Sequence, residues 1–151
     1  MVIGLEVPLA RVRAFELFTD GFARWYPAEY SWSGRLLDWI GLEGHVGGAC
    51  FERGPHGFRC DWGRVLVWAP PESVAFTWQI GVSRVPEPDP VRVSDIEVGF
   101  QPAGEDATRV TFSHQHFSRH GEGWEEYVAA MASPEGWPYI LSRFEKAART
   151  A

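Results

Sequence analysis

Apolar positions change their spacing twice along the chain. Ile3, Leu5 and Val7 alternate with other residues, the period of a short first strand. Pro8 follows, and Leu9, Val12, Phe15 and Phe18 then recur at the spacing of a helix. A break at Thr19–Gly21 and the proline at 27 bound a second, shorter helix. Residues 31–48 are Gly-rich and irregular, with room for one short strand. From Gly48 the period becomes two. "GACFERGPHGFRCDWGRVLVWAPP" reads as two strands about a turn. A turn at Pro55 and His56 would set Phe51 opposite Cys60 and Arg53 opposite Phe58. Val74, Phe76, Trp78 and Ile80 form one face of a third strand. "VRVSDIEVGF" and "TRVTFSHQHF" form a further hairpin across "QPAGEDA". Beyond Gly121 the spacing is helical again, through Trp124, Tyr127, Val128 and Met131, and then Ile140, Leu141, Phe144 and Ala148. Pro134 and Pro138 should kink or split this last helix.

A strand, two short helices, a run of antiparallel strands and a long terminal helix make an α+β chain. A curved antiparallel sheet has one apolar face to cover, and the terminal helix is the obvious cover. With 151 residues, one domain over 1–151 is expected. Lys and Arg total 14 against 20 Asp and Glu, and no basic run occurs, which argues against nucleic-acid and anionic-membrane partners. No signal peptide is read at the N-terminus, and no apolar stretch approaches a bilayer span of about 20 residues. The expected location is cytoplasmic. Eight Trp is more than an ordinary core of this size uses, so an aromatic-lined pocket is expected.

Several phrases resemble the helix-grip fold of the START-like, or SRPBCC, superfamily, closest to the activator of heat-shock-protein-90 ATPase homologue family. They are "VPLARVRAFELFTDGFARWYP", "GRVLVWAPPESVAFTW", "EDATRVTFSHQHF" and "GWPYILSRFEKA", in that order over nearly the whole chain. The resemblance implies a curved antiparallel sheet wrapped around a long C-terminal helix, with two short helices after the first strand. It also implies a cavity between sheet and helix that holds a small hydrophobic molecule. A cyclase or dehydratase using that cavity, and a chaperone-partner module, are the alternatives. Relatives often pair, so a homodimer is a further expectation. Trp25 and Trp32 fall in segments that cap the cavity mouth in such relatives.

Candidate ligand contacts follow from strand alternation. Phe112, His114 and His116 share one face with Val110, and Arg92 and Ser94 should lie beside them on the neighbouring strand. These four polar residues would form the polar end of a pocket otherwise lined by Phe51, Phe76, Trp78, Phe112, Trp124 and Tyr127. A metal site is not expected, because His120 and Glu122 have nothing to aim them at the His-x-His pair. No cofactor motif is present, and no catalytic residue is assigned. His120 is expected to be a loop residue. The carboxylates, Glu52 and Asp61 among them, are read as solvated charges, and Cys50 and Cys60 as unpaired thiols on opposite faces.

Overall fold

The computed structural model describes all of residues 1–151. Strand β1 (Val2–Val7) leads into α1 (Arg11–Phe18) and α2 (Phe22–Trp25). Two single-turn helices and β2 (Trp39–Leu42) follow, then β3 (Ala49–Arg53), β4 (Arg59–Ala69), β5 (Ser73–Trp78), β6 (Ser94–Gly104) and β7 (Ala107–Gln115). The chain ends in α3 (Trp124–Ala132) and α4 (Trp137–Arg149). All seven strands form one antiparallel sheet in the order β1-β7-β6-β5-β4-β3-β2. The helices cover its inner face, which is the helix-grip arrangement expected from the sequence.

The terminal helix is split, as the prolines require. Ser133 is extended after α3, Pro134 follows it, and Pro138 sits in the first turn of α4, where its missing N–H costs nothing. Ile140, Leu141, Phe144 and Ala148 on α4 are all buried against the sheet. Val74, Phe76 and Trp78 of β5 face inward opposite Val98, Ile96 and Ser94 of β6. The alternation read from the sequence holds in these central strands.

It fails at the β3–β4 hairpin. The turn is longer than two residues: Pro55–Gly57 forms a helical turn, and His56 and Gly57 both adopt positive φ. Arg53 therefore faces Arg59, Glu52 faces Cys60 and Phe51 faces Asp61. The expected register was off by one residue. Phe51 packs between Trp39, at 4.9 Å between centroids, and the Arg59 guanidinium, 3.9 Å from its ring centre. It lies outside the main core cluster, whereas Cys50 belongs to it. Cys60 shares the face of Glu52 rather than that of Phe51, and both cysteines are free.

A bulge follows. Cys50 pairs with Gly63 while Phe51 pairs with Asp61, so Trp62 is the extra residue on β4. Trp62 and Gly63 are consecutive and both buried. A Cβ at position 63 would stand 2.3 Å from the Thr77 carbonyl oxygen on β5. Only glycine lets the two strands meet there. Gly63→Ala is expected to cost about 1–3 kcal/mol in urea unfolding. An unchanged midpoint would show that the strands have room to part.

Candidate functional site

The polar cluster forecast at one end of the sheet exists, with a different membership. Ser94 and His114 are fully buried, on β6 and β7. Ser94 Oγ lies 2.6 Å from His114 Nε2 and 2.7 Å from His120 Nε2. On its other side, His114 Nδ1 accepts a hydrogen bond from Trp137 Nε1–H at 2.9 Å. These contacts assign every hydrogen. An accepting Nδ1 requires the His114 proton on Nε2, from which it donates to Ser94 Oγ. The Ser94 hydroxyl hydrogen finds a partner in this cluster only by donating to His120 Nε2. The His120 proton therefore sits on Nδ1, which is buried without a partner.

His116 takes no part. β7 ends at Gln115, and His116 adopts a left-handed conformation, φ 68°, that breaks the alternation. Its half-exposed ring turns toward Asp95, 3.9 Å away. The next residues form a helical turn that folds back and buries His120, which is thus a core residue and not a loop residue. Arg92 precedes β6 and lies outside the cluster. Its guanidinium bonds Glu87 Oε1 at 3.1 Å, and it reaches the His120 carbonyl at 3.4 Å.

Burial lowers the proton affinity of His114 well below the ordinary imidazole value, with repulsion from His120 and the N-terminus adding to it. Burial also lowers that of His120, offset by nearby Glu87. Both rings are kept neutral in the fold but take up protons in the unfolded chain below its ordinary value near 6.5. Stability is therefore full above about pH 6.5 and falls as the pH drops below it, by up to about 1.4 kcal/mol per pH unit for each ring. Melting temperatures measured between pH 7.5 and 5 should show this decline, and His120→Asn should make it shallower. A flat wild-type profile would contradict the neutral assignment.

A largely apolar space lies elsewhere, whereas the hollow that Arg92 and His120 line has few hydrophobic walls. A cleft of about 500 Å³ opens between the segment 26–32 and the broken terminal helix. Its walls include Tyr26, Tyr30 and Trp32 on one side, and Tyr127, Met131 and Ile140 on the other. Trp78 and Ile80 line it from the sheet, and Arg84 lies at the rim. The break between α3 and α4 contributes Ser133, Glu135 and Gly136, so the prolines help to shape the mouth. Tyr127 is pinned from both sides: its hydroxyl accepts from Trp78 Nε1–H and donates to the Ile80 carbonyl, each at 2.8 Å. Burial raises its pKa, which keeps the phenol protonated.

Trp32 is strapped across the cleft. Glu52, fully buried on β3, accepts hydrogen bonds from the Trp32 and Ser33 amides, both 3.0 Å, and from Ser33 Oγ at 2.7 Å. The Trp32 indole N–H donates to the Arg84 carbonyl at 3.1 Å. The Arg84 guanidinium in turn lies 4.3 Å from the Tyr127 ring centre. The solvated-charge reading of Glu52 is thus overturned. The face opposite Phe51 is the inner one, and three donors stabilise the carboxylate there.

Of the expected ligand contacts, Trp32, Trp78 and Tyr127 line the cleft. Trp25, Phe76 and Phe112 are packed into the core, and Trp124 is half-buried beside it. Phe51, Arg92, Ser94, His114 and His116 are not among the cleft walls. Sequence reasoning missed Tyr26, Ile80, Arg84, Met131, Ile140 and Glu52 as site residues. No cluster of three or more His, Cys, Asp or Glu side chains is placed to hold a metal ion, and no helix is long and apolar enough to cross a membrane.

A curled antiparallel sheet gripping terminal helices, with a cleft between them, defines a helix-grip domain of the START-like, or SRPBCC, type. Within that class the chain belongs to the activator of Hsp90 ATPase homolog 1-like family, whose model matches residues 8–149. Among solved structures it is similar to the anthrahydroquino-γ-pyrone synthase Txn09, at 33% identity and TM-score 0.68, over 97% of this chain and 94% of that one. CalC, a self-sacrificing resistance protein from Micromonospora echinospora, is 25% identical with TM-score 0.66, over 98% and 92%. An HSP90 activator from Plasmodium falciparum shares the fold at 18% identity and TM-score 0.53, over 85% and 84%. No curated protein matches the sequence.

Proposed function

We propose that the protein binds a small, mostly apolar molecule in the cleft walled by Trp32, Trp78 and Tyr127. The supporting observation is a cleft of about 500 Å³, within the range of small-molecule sites, with nine hydrophobic residues among its 14 wall residues. The Trp32 and Trp78 indoles and the Tyr127 phenol are held by hydrogen bonds at their polar edges, which fixes the cleft walls in place. Glu52 and the Arg84 carbonyl hold Trp32 in place before any ligand arrives, which lowers the ordering cost of binding.

A second reading, an enzyme acting in the same cleft, is supported by the synthase relative at 33% identity. Neither His114 nor His116 is placed to carry a proton in that cleft. His114 is sealed between Trp137 and Ser94, and His116 faces outward. Tyr26, Tyr30, Tyr127 and Glu135 are the cleft residues with a side chain able to carry a proton step. The chaperone-partner reading rests on the family likeness and on a shared fold alone, and a homodimer rests on the resemblance.

A plug separates a binding cleft from a merely imperfect surface. Ala130 lies in the cleft wall and is exposed. The neutral dye N-phenyl-1-naphthylamine should bind the wild type with enhanced emission. Ala130→Trp should weaken that binding at least about tenfold, the effect of losing about 1.4 kcal/mol of contact, with the melting temperature little changed. Equal affinity in the two proteins would remove the cleft as the binding site.

A further inference from the structure

The cleft has an inner extension. Tyr26, Trp32, Trp78 and Ile80 are walls of both the outer space and a smaller pocket of about 10 Å³. Trp62, Ile40 and Glu52 complete the inner pocket. That volume is close to one oxygen-sized group. The Trp62 indole nitrogen is buried and has no hydrogen-bond partner. A buried donor left unpaired costs about 1–3 kcal/mol, and the rest of this interior is otherwise well satisfied: His120 Nδ1 is the only other such atom. Trp62 is also the residue that the β4 bulge adds to the inner face, and bulges commonly re-aim a side chain near functional sites.

The groups around Trp62 restrict what could pair with it. The ring itself is fixed, stacked on Phe22 and edge-on to Phe76 and Trp78. The Tyr26 hydroxyl is a second donor in the same wall. Burial, then Tyr127 and Glu52, raise its pKa, so it stays protonated. Glu52 sets the charge. A carboxylate or phosphate on the ligand would be repelled by it. Glu52 already accepts from the Trp32 and Ser33 amides and from the Ser33 hydroxyl, so little accepting capacity is left there for a ligand hydroxyl. The group that fits best is neutral and accepts hydrogen bonds.

We propose that the inner pocket seats the carbonyl oxygen of a neutral, flat aromatic ligand, which accepts from the Trp62 indole N–H and the Tyr26 hydroxyl while the rings lie between Trp32, Trp78 and Tyr127. The inference rests on the binding reading above and adds the ligand's chemical class and orientation. It replaces the polar end expected at Arg92, Ser94, His114 and His116 with one on the opposite wall of the sheet, and it excludes an acidic ligand head.

Fluorene and 9-fluorenone test it, since they share one ring system and differ by the carbonyl. Titrated against the intact protein, fluorenone should bind about tenfold more tightly than fluorene, the worth of one well-made buried hydrogen bond. Trp62→Phe should abolish that preference while leaving fluorene affinity within about threefold, and Tyr26→Phe should reduce it. Should Trp62→Phe not fold, the wild-type indole N–H resonance of Trp62 gives a second measurement. It should move downfield with fluorenone and stay in place with fluorene. Equal affinities, or an unmoved resonance with fluorenone bound, would overturn the carbonyl seat and leave the binding reading intact. Failure of both compounds and of the naphthylamine dye to bind would overturn both.

Discussion

The hydrogen bond from the Trp137 indole to His114 Nδ1 organises much of this molecule. It ties the first turn of α4 to the end of β7, and it fixes which ring nitrogen of His114 faces Ser94. His114 donates to Ser94, Ser94 donates to His120, and the turn after β7 is drawn inward. Four elements are thereby joined through two histidines, one hydroxyl and one indole, none of them charged. In a low-dielectric interior such a chain is strong when complete and costly when broken. Complete here means neutral, so the same contacts that anchor the helix make the fold sensitive to acid.

This has a consequence for function. A histidine with both ring nitrogens committed to structural bonds is not free to greet a ligand. The polar cluster and the cleft are therefore separate features of the interior, one holding the helices and the other leaving room beside them. The room comes from the break at Pro134 and from the strap over Trp32. Glu52 is central to that strap, because its carboxylate is the common acceptor for two amides and a hydroxyl. The bulge at Trp62 belongs to the same wall. Backbone irregularities at the hairpin, the bulge and the helix break thus surround the cleft, while the regular central strands are filled with aromatic side chains.

Much of the architecture was legible in the chain. Alternation in Val74, Phe76 and Trp78 and in Val110, Phe112 and His114 placed these strands and their inner face correctly, because the β5–β6 and β6–β7 pairings run without a shift along these residues. Pro134 and Pro138 marked the helix break for a reason that no tertiary context removes. The reading failed where a local backbone choice reset the period. Two left-handed residues in the Pro55–Gly57 turn moved β3 by one residue against β4, which sent Phe51 outward and Glu52 inward. A single left-handed residue ended β7 one position early and exchanged His116 for His120. The Trp62–Gly63 pair was a signal of the bulge, since glycine inside a strand often marks one, but its partner register was not available from the chain alone.

The sequence by itself determined the fold class, the order of the elements, the excess of aromatic surface and the family, because hydrophobic period, proline and motif order act locally along the chain. The tertiary structure alone decided which polar groups meet. His114, Ser94, His120 and Trp137 come from four elements, and Glu52 lies about twenty residues from the amides it holds. Strand spacing can place a side chain on a face, but only the packed helices and the exact register determine whether that face meets a hydrogen-bond partner, a core or an open cleft.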